Sequence, residues 1–250
     1  MNRIKHSGKN LEVCLSSDHT ALLRHNSKVA YASGASRIEL CSQLSCGGLS
    51  PSIEAISHVV TQQPKHKECI VMLRSANDFF IDTARLYQLQ QQLQQFAQAG
   101  ASGVALGFID RDSNIATQPC QSLIAMARDL KLSITFHRAF DAVANWRQAA
   151  DTLLELGVDR VLSSGSEWTS QLDAAHSINR LTRLLHHFSG EIELVIGGGV
   201  TPQHADKLWQ LQAFGPLSLH AHSGVHTHQV EVCPRLIRGV MTAAKGVAQR

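Results

Sequence analysis

The sequence predicts a single-domain (β/α)8 barrel, a TIM barrel, over residues 1–250. Three observations predict it: short apolar runs recur eight times, a longer amphipathic segment follows each, and no linker or composition break interrupts the 250 residues. A barrel of this kind typically takes about 250 residues as one unit. The runs are nearly continuous rather than alternating with polar residues, so they read as parallel strands buried on both faces. A doubly wound open sheet is the competing architecture. It usually carries a glycine-rich fingerprint after its first strand, and LEVCLSSDHT has none.

Taken in order, the strands are LEVCLSS (11–17), RIELCS (37–42), CIVMLR (69–74) and GVALGFID (103–110). SITFHRAF (133–140), DRVLSSG (159–165), IELVIGGG (192–199) and PLSLHAHSG (216–224) follow. The clearest helix is DTARLYQLQQQLQQFAQAG, where Leu86, Leu89, Leu93 and Phe96 share one stripe and glutamines cover the remaining faces. Gly100 stops it, and the small-plus-glycine groups Ser33-Gly34-Ala35 and Leu156-Gly157-Val158 end other helices in the same way.

Composition narrows the function. Hydrophobic residues make up 44% of the chain and charged residues 17%, which describes an aliphatic core. The net charge of +3 is small and scattered, which argues against a nucleic-acid partner. No apolar run approaches the length of about 18 residues that a membrane span needs. The segment after MNRIKHSGKN is short and contains Glu12, unlike a signal peptide, so the six cysteines are expected to be reduced thiols in the cytoplasm. Fourteen histidines leave metal binding open.

In a barrel, chemistry gathers at the C-terminal strand ends. Those ends supply Glu12 and Cys14, Glu39 and Cys41, Arg74, Asp110, then His137, Arg138 and Asp141. Strands 1 and 2 both read Glu-x-Cys, so within each pair the side chains face the same way. Neighbouring strands lie about 4.8 Å apart, close enough for Cys14 and Cys41 to approach if both point inward. Two soft thiolates suit copper(I) or zinc, and packing as small apolar groups is the alternative. FHRAFD could bind an anion and move a proton, or Arg138 and Asp141 could simply pair. Gly197, Gly198 and Gly199, with Ser223 and Gly224, fall where barrels often hold a phosphate. His220 and His222 share a strand face, whereas His226 and His228 are expected on an exposed loop. Cys69, Cys120 and Cys233 are expected only to pack, the last two in helices.

The set RIELC…GGLSPS, ITFHRAFD, DRVLSSG, GGGV and the strand 8 histidine resembles the CutC family, named for copper homeostasis. The resemblance runs from LEVCLSS to about Ser223 and implies a (β/α)8 barrel, cytoplasmic and homo-oligomeric, associated with copper. The motif positions it carries over are Glu12, Cys14, Glu39, Cys41, Arg74, His137, Arg138, Asp141, Ser164, Gly198 and His220. The chain departs from the family pattern at Ser75-Ala76-Asn77, where a second arginine and two glycines are usual, and at Cys46, Ile196 and His222.

Two functions follow as expectations. One is copper(I) binding through Cys14 and Cys41, with His220 as a further candidate ligand. The other is an enzyme acting on a small phosphorylated or otherwise anionic metabolite. There, Glu12, Glu39, His137 and Asp141 are the acid/base candidates, and Arg74, Arg138 and the glycine turns hold the anion. A scaffold that has lost its chemistry is a third, non-enzymatic reading. In the first two the partner is a metal ion or a small molecule.

Overall fold

Eight parallel strands pair in chain order, and β1 pairs with β8 to close the barrel. The structure is a computed structural model that describes residues 8–170, 172–228 and 230–242. The strands are β1 (Leu11–Ser16), β2 (Arg37–Cys41), β3 (Glu68–Met72) and β4 (Gly103–Leu106). They continue as β5 (Ser133–Phe136), β6 (Arg160–Ser163), β7 (Glu193–Ile196) and β8 (Leu217–Ala221). The helices are α1 (Thr20–Ala32), α2 (Ile53–Val60), α3 (Thr83–Gln98) and α4 (Thr117–Asp129), then α5 (Trp146–Leu156), α6 (Ile178–Phe188), α7 (Pro202–Trp209) and α8 (Pro234–Thr242). The expected (β/α)8 barrel is therefore the fold. None of these helices is long and apolar enough to cross a membrane.

Local chemistry sets the helix boundaries. Ser52, Asp82 and Asn145 each accept a backbone N–H in the first turn of the helix that follows, satisfying donors that have no intrahelical partner. Gly157 ends α5 in the left-handed conformation. On α3, Leu89, Leu93 and Phe96 are buried and Leu86 is partly so, which matches the expected stripe.

Several strands are shorter than the apolar runs. β4 stops at Leu106 instead of 110, and β5 at Phe136 instead of 140. After β5, His137 Nδ1 accepts the Ala139 N–H at 3.1 Å, and Arg138–Ala142 wind into a 3-10 turn. After β4 comes Gly107, where a Cβ would lie 2.7 Å from His137 Nδ1, so glycine is required for the close approach. Residues 223–225 likewise form a 3-10 turn rather than extending β8. His226 begins a two-residue strand and is buried, with its ring 4.5 Å from that of His222, so it does not lie on an exposed loop. Cys233 precedes α8 rather than lying within it.

The N-terminal end of the barrel interior is closed by charge. Arg37 begins β2, Glu68 β3, Arg160 β6 and Glu193 β7. Arg37 reaches Glu12 Oε2 at 3.0 Å and Glu193 Oε1 at 2.7 Å, and also donates to Ser218. Arg160 holds Glu68 at 3.0 Å and donates to Ser133 Oγ at 3.1 Å. Partners on strands that are not neighbours can meet only inside the barrel. Burial opposes the Arg37 charge, but Glu193 and Glu12 overcome it and raise the guanidinium above its ordinary value.

Candidate functional site

The strand register assembles the site above this floor. Cys14 pairs with Glu39 across β1 and β2, and Glu12 with His220 across β1 and β8. Side chains alternate along each strand, so Glu12, Cys14, Glu39, Cys41 and His220 all project to one face, the interior. Cys14 Sγ lies 3.8 Å from Cys41 Sγ, with both side chains buried and free of disulfides. Donor atoms of Cys14, Glu39 and His220 all fall within 4.8 Å of one another, a spacing that can hold a metal ion.

His220 ties two carboxylates together. Its Nδ1 is 2.8 Å from Glu12 Oε1 and its Nε2 is 3.8 Å from Glu39 Oε2. Burial pulls the imidazole toward neutrality, but Glu39 and Glu12 outweigh it and raise its pKa. Burial likewise opposes the Glu12 charge, yet the His220 hydrogen bond and the Arg37 charge hold its carboxyl down to about 2. Glu39 is shifted the other way, chiefly by burial, which pushes its carboxyl up. The Cys14 thiol is raised by its hydrogen bond with Cys41 and by burial, so it rests protonated. A soft cation binding there must displace that proton, as metal binding to thiols does.

These groups open into a cavity of about 140 Å³ at the C-terminal end of the barrel. Cys14, Glu39, His220 and His222 line one side, and Arg74, His137, Arg138 and Trp168 the other. Two residues that line it each carry a buried polar atom with no hydrogen-bond partner among the described residues: Glu39 Oε1 and His137 Nε2. Such atoms are costly to leave unpaired and point to something that completes them. Burial and the neighbouring Arg74 charge hold the His137 imidazole down to about 3, so it is neutral.

The remaining candidates fall into two groups. Arg74 lines the cavity and is anchored through the carbonyls of Asp78, Cys46 and Gly48 at 3.1–3.2 Å, with its guanidinium over the Phe79 ring. Arg138 is held by Asp141 at 2.8 Å and Ser164 at 3.0 Å, and lies over Trp168. Asp141 accepts from Arg138, from the Ser164 N–H and hydroxyl, and from Ser163, so its carboxylate positions Arg138. Among the acid/base candidates, then, Glu39 and His137 face the cavity, whereas Glu12 and Asp141 are bound into ion pairs.

The glycine turns lie outside the cavity lining. A Cβ on Gly199 would come within 2.5 Å of Asp173 Cβ, and one on Gly224 would collide with the Val200 carbonyl. Close packing therefore accounts for glycine at these two positions. Asp173, whose carboxylate contacts His176 at 2.6 Å, brings the chain's own negative charge to this turn. Gly197 packs against Leu162 and His220, and Gly198 against Ser164.

Sequence reasoning missed Arg37, Phe79 and Trp168. Trp168 is a single aromatic in a polar stretch just after β6, and that isolation was a usable signal. Nothing local distinguishes Arg37, whose partners come from across the barrel.

Known proteins resemble this chain in sequence and in fold. The CutC family model matches residues 9–225. A family protein CutC of Vibrio cholerae serotype O1 is 34% identical over 211 residues, covering 84% of this chain and 79% of its own. The copper homeostasis protein cutC homolog of Homo sapiens is 33% identical over 211 residues, covering 84% of this chain and 71% of its own. Among solved structures, CutC from Streptococcus agalactiae superposes with a TM-score of 0.72 at 23% identity, over 85% of this chain and 98% of that one.

Proposed function

The chain belongs to the CutC family, and from that premise we propose that it is a cytoplasmic, homo-oligomeric protein of copper homeostasis that holds copper(I) as cargo between Cys14 and Cys41, with His220 a neighbour of Cys14. One observation carries this reading: the two sulfurs stand 3.8 Å apart. At the zinc–sulfur distance of about 2.3 Å, two thiolates sharing an ion stand about 3.8 Å apart at a tetrahedral angle and about 4.0 Å at a trigonal one. Thiolate is the soft donor that copper(I) prefers, whereas the Glu39 carboxylate is hard and serves better as a neighbouring charge. The Cys14 and Cys41 side chains are 2% and 0% exposed, so exchange of the ion is slow. The test is a copper(I) competition titration of the reduced protein: an affinity unchanged in Cys14→Ser/Cys41→Ser overturns the assignment.

A second reading is favoured by a different observation, the two unpartnered atoms Glu39 Oε1 and His137 Nε2 on residues that line the cavity. They suit an enzyme acting on a small anionic metabolite, with Arg74 and Arg138 supplying positive charge. A thermal-shift panel of small carboxylates and phosphates tests it. No stabilisation of the wild type by any of them, with Arg138→Ala equally unresponsive, counts against it.

A further inference from the structure

Resting on that enzyme reading, we infer that the cavity binds a small hydroxy-carbonyl carboxylate and enolises it, with Glu39 Oε1 removing the proton α to the carbonyl and His137 Nε2–H stabilising the carbonyl oxygen. Size sets the ligand class. A cavity of about 150 Å³ accommodates benzene, so the 140 Å³ found here takes about six or seven non-hydrogen atoms. A three-carbon hydroxy-oxo acid fits within it.

The donor and acceptor are set by geometry. The Ala139 N–H donates to His137 Nδ1 at 3.1 Å, so Nδ1 carries a lone pair and the neutral ring keeps its proton on Nε2. Nε2 is thus a buried donor without an acceptor, on a residue that lines the cavity. Across the barrel, Glu39 presents Oε1 without a donor, while its Oε2 faces His220 Nε2 at 3.8 Å. A carbonyl oxygen completes His137, and the acidic C–H beside it lies toward Glu39. Arg74 adds a positive charge to the same wall, held by backbone carbonyls, and suits the carboxylate. A carboxylate base facing a neutral imidazole donor in a water-poor barrel mouth is an arrangement suited to enediolate chemistry.

The step balances without an outside oxidant or reductant. Glu39 takes the proton from the carbon bearing the hydroxyl. The C–H pair becomes the C=C bond, and the carbonyl π pair moves to oxygen, where His137 donates to it. Return of the proton to the same carbon gives exchange with solvent; return to the neighbouring carbon, with the hydroxyl proton passing to the former carbonyl oxygen as the new carbonyl forms, gives isomerisation.

The experiment uses the full chain with hydroxypyruvate in D2O, following loss of the CH2 signal by proton NMR and binding by saturation transfer. The wild type is expected to exchange the CH2 protons faster than protein-free solution. Glu39→Gln is expected to bind still and to exchange about 100-fold more slowly, as loss of a general base predicts. His137→Phe, the second arm, is expected to slow exchange by about 100-fold as well. Binding without exchange above background overturns the enolisation inference and leaves the enzyme reading standing; no binding of hydroxypyruvate also overturns the inference, while the enzyme reading falls only if the wider panel of carboxylates and phosphates fails as well. Wild-type exchange in a folded Glu39→Gln, judged by circular dichroism, overturns the role of Glu39. Equal exchange of uncharged dihydroxyacetone overturns recognition of the carboxylate.

Discussion

Cys14 and Cys41 meet diagonally: their sulfurs are 3.8 Å apart although the register pairs Cys14 with Glu39 and Cys41 with Ser16. The offset brings a thiol and a carboxylate side by side on neighbouring strands, with the second thiol one step closer to the rim. Only Cys14 lines the cavity, so Cys41 is reached through it.

The copper(I) assignment separates the cysteines sharply. Replacing either Cys14 or Cys41 by serine is expected to weaken copper(I) affinity by more than the roughly 10–100-fold that loss of an outer-shell partner costs. Cys46→Ser is expected to leave it unchanged, because Cys46 contributes its backbone carbonyl, to Arg74, and its thiol lies outside the cavity lining. Competition against a chromophoric copper(I) chelator measures all three.

Arg37 is the hub of the barrel floor. Arg37→Met strips Glu12 and Glu193 of their shared cation and leaves both carboxylates buried. The expected cost is about 3–5 kcal/mol, read from urea unfolding. Adding Glu12→Gln should restore part of it.

Acid is expected to destabilise the fold through His137. Its pKa is about 3 when folded against an ordinary 6.5, so between those values the unfolded chain binds the extra proton and stability falls with pH. Between pH 7 and pH 5 the loss from this group is about 2 kcal/mol. His226, held down to about 4 mainly by burial, acts with the same sign. Urea unfolding at the two pH values checks it: in His137→Gln the acid-induced loss should shrink by about 2 kcal/mol.

Asp141 is expected to matter for structure and for the cavity wall at once. Asp141→Ala removes the acceptor of Arg138 and of the Ser163 and Ser164 donors. A stability loss of about 1–3 kcal/mol should accompany it. Arg138 stacks on Trp168, so a change in tryptophan fluorescence should report its release.

Much of this was legible along the chain, for a physical reason. Strands buried on both faces leave continuous apolar runs, and the alternation along β1, β2 and β8 places Glu39, Cys14, Cys41 and His220 inside. Hydrophobicity does not mark where a strand ends. The run SITFHRAF continues past Phe136, yet the chain turns because the His137 ring takes the Ala139 amide. Height within the barrel is equally hidden. Glu12 reads like Glu39 in sequence, but an arginine on β2 claims it, and that arginine is itself anchored from β7. At Gly199 and Gly224 the glycines advertise tight backbone, and only the neighbours show that Asp173 and Val200 require it.

The charged plug of Arg37, Arg160, Glu68 and Glu193 makes the cavity a cul-de-sac. Traffic is therefore one-way-in, same-way-out: a departing occupant must clear the mouth before a newcomer arrives. On the copper(I) proposal, a protein that delivers the ion and one that collects it would use this same mouth, and so would have to take turns there.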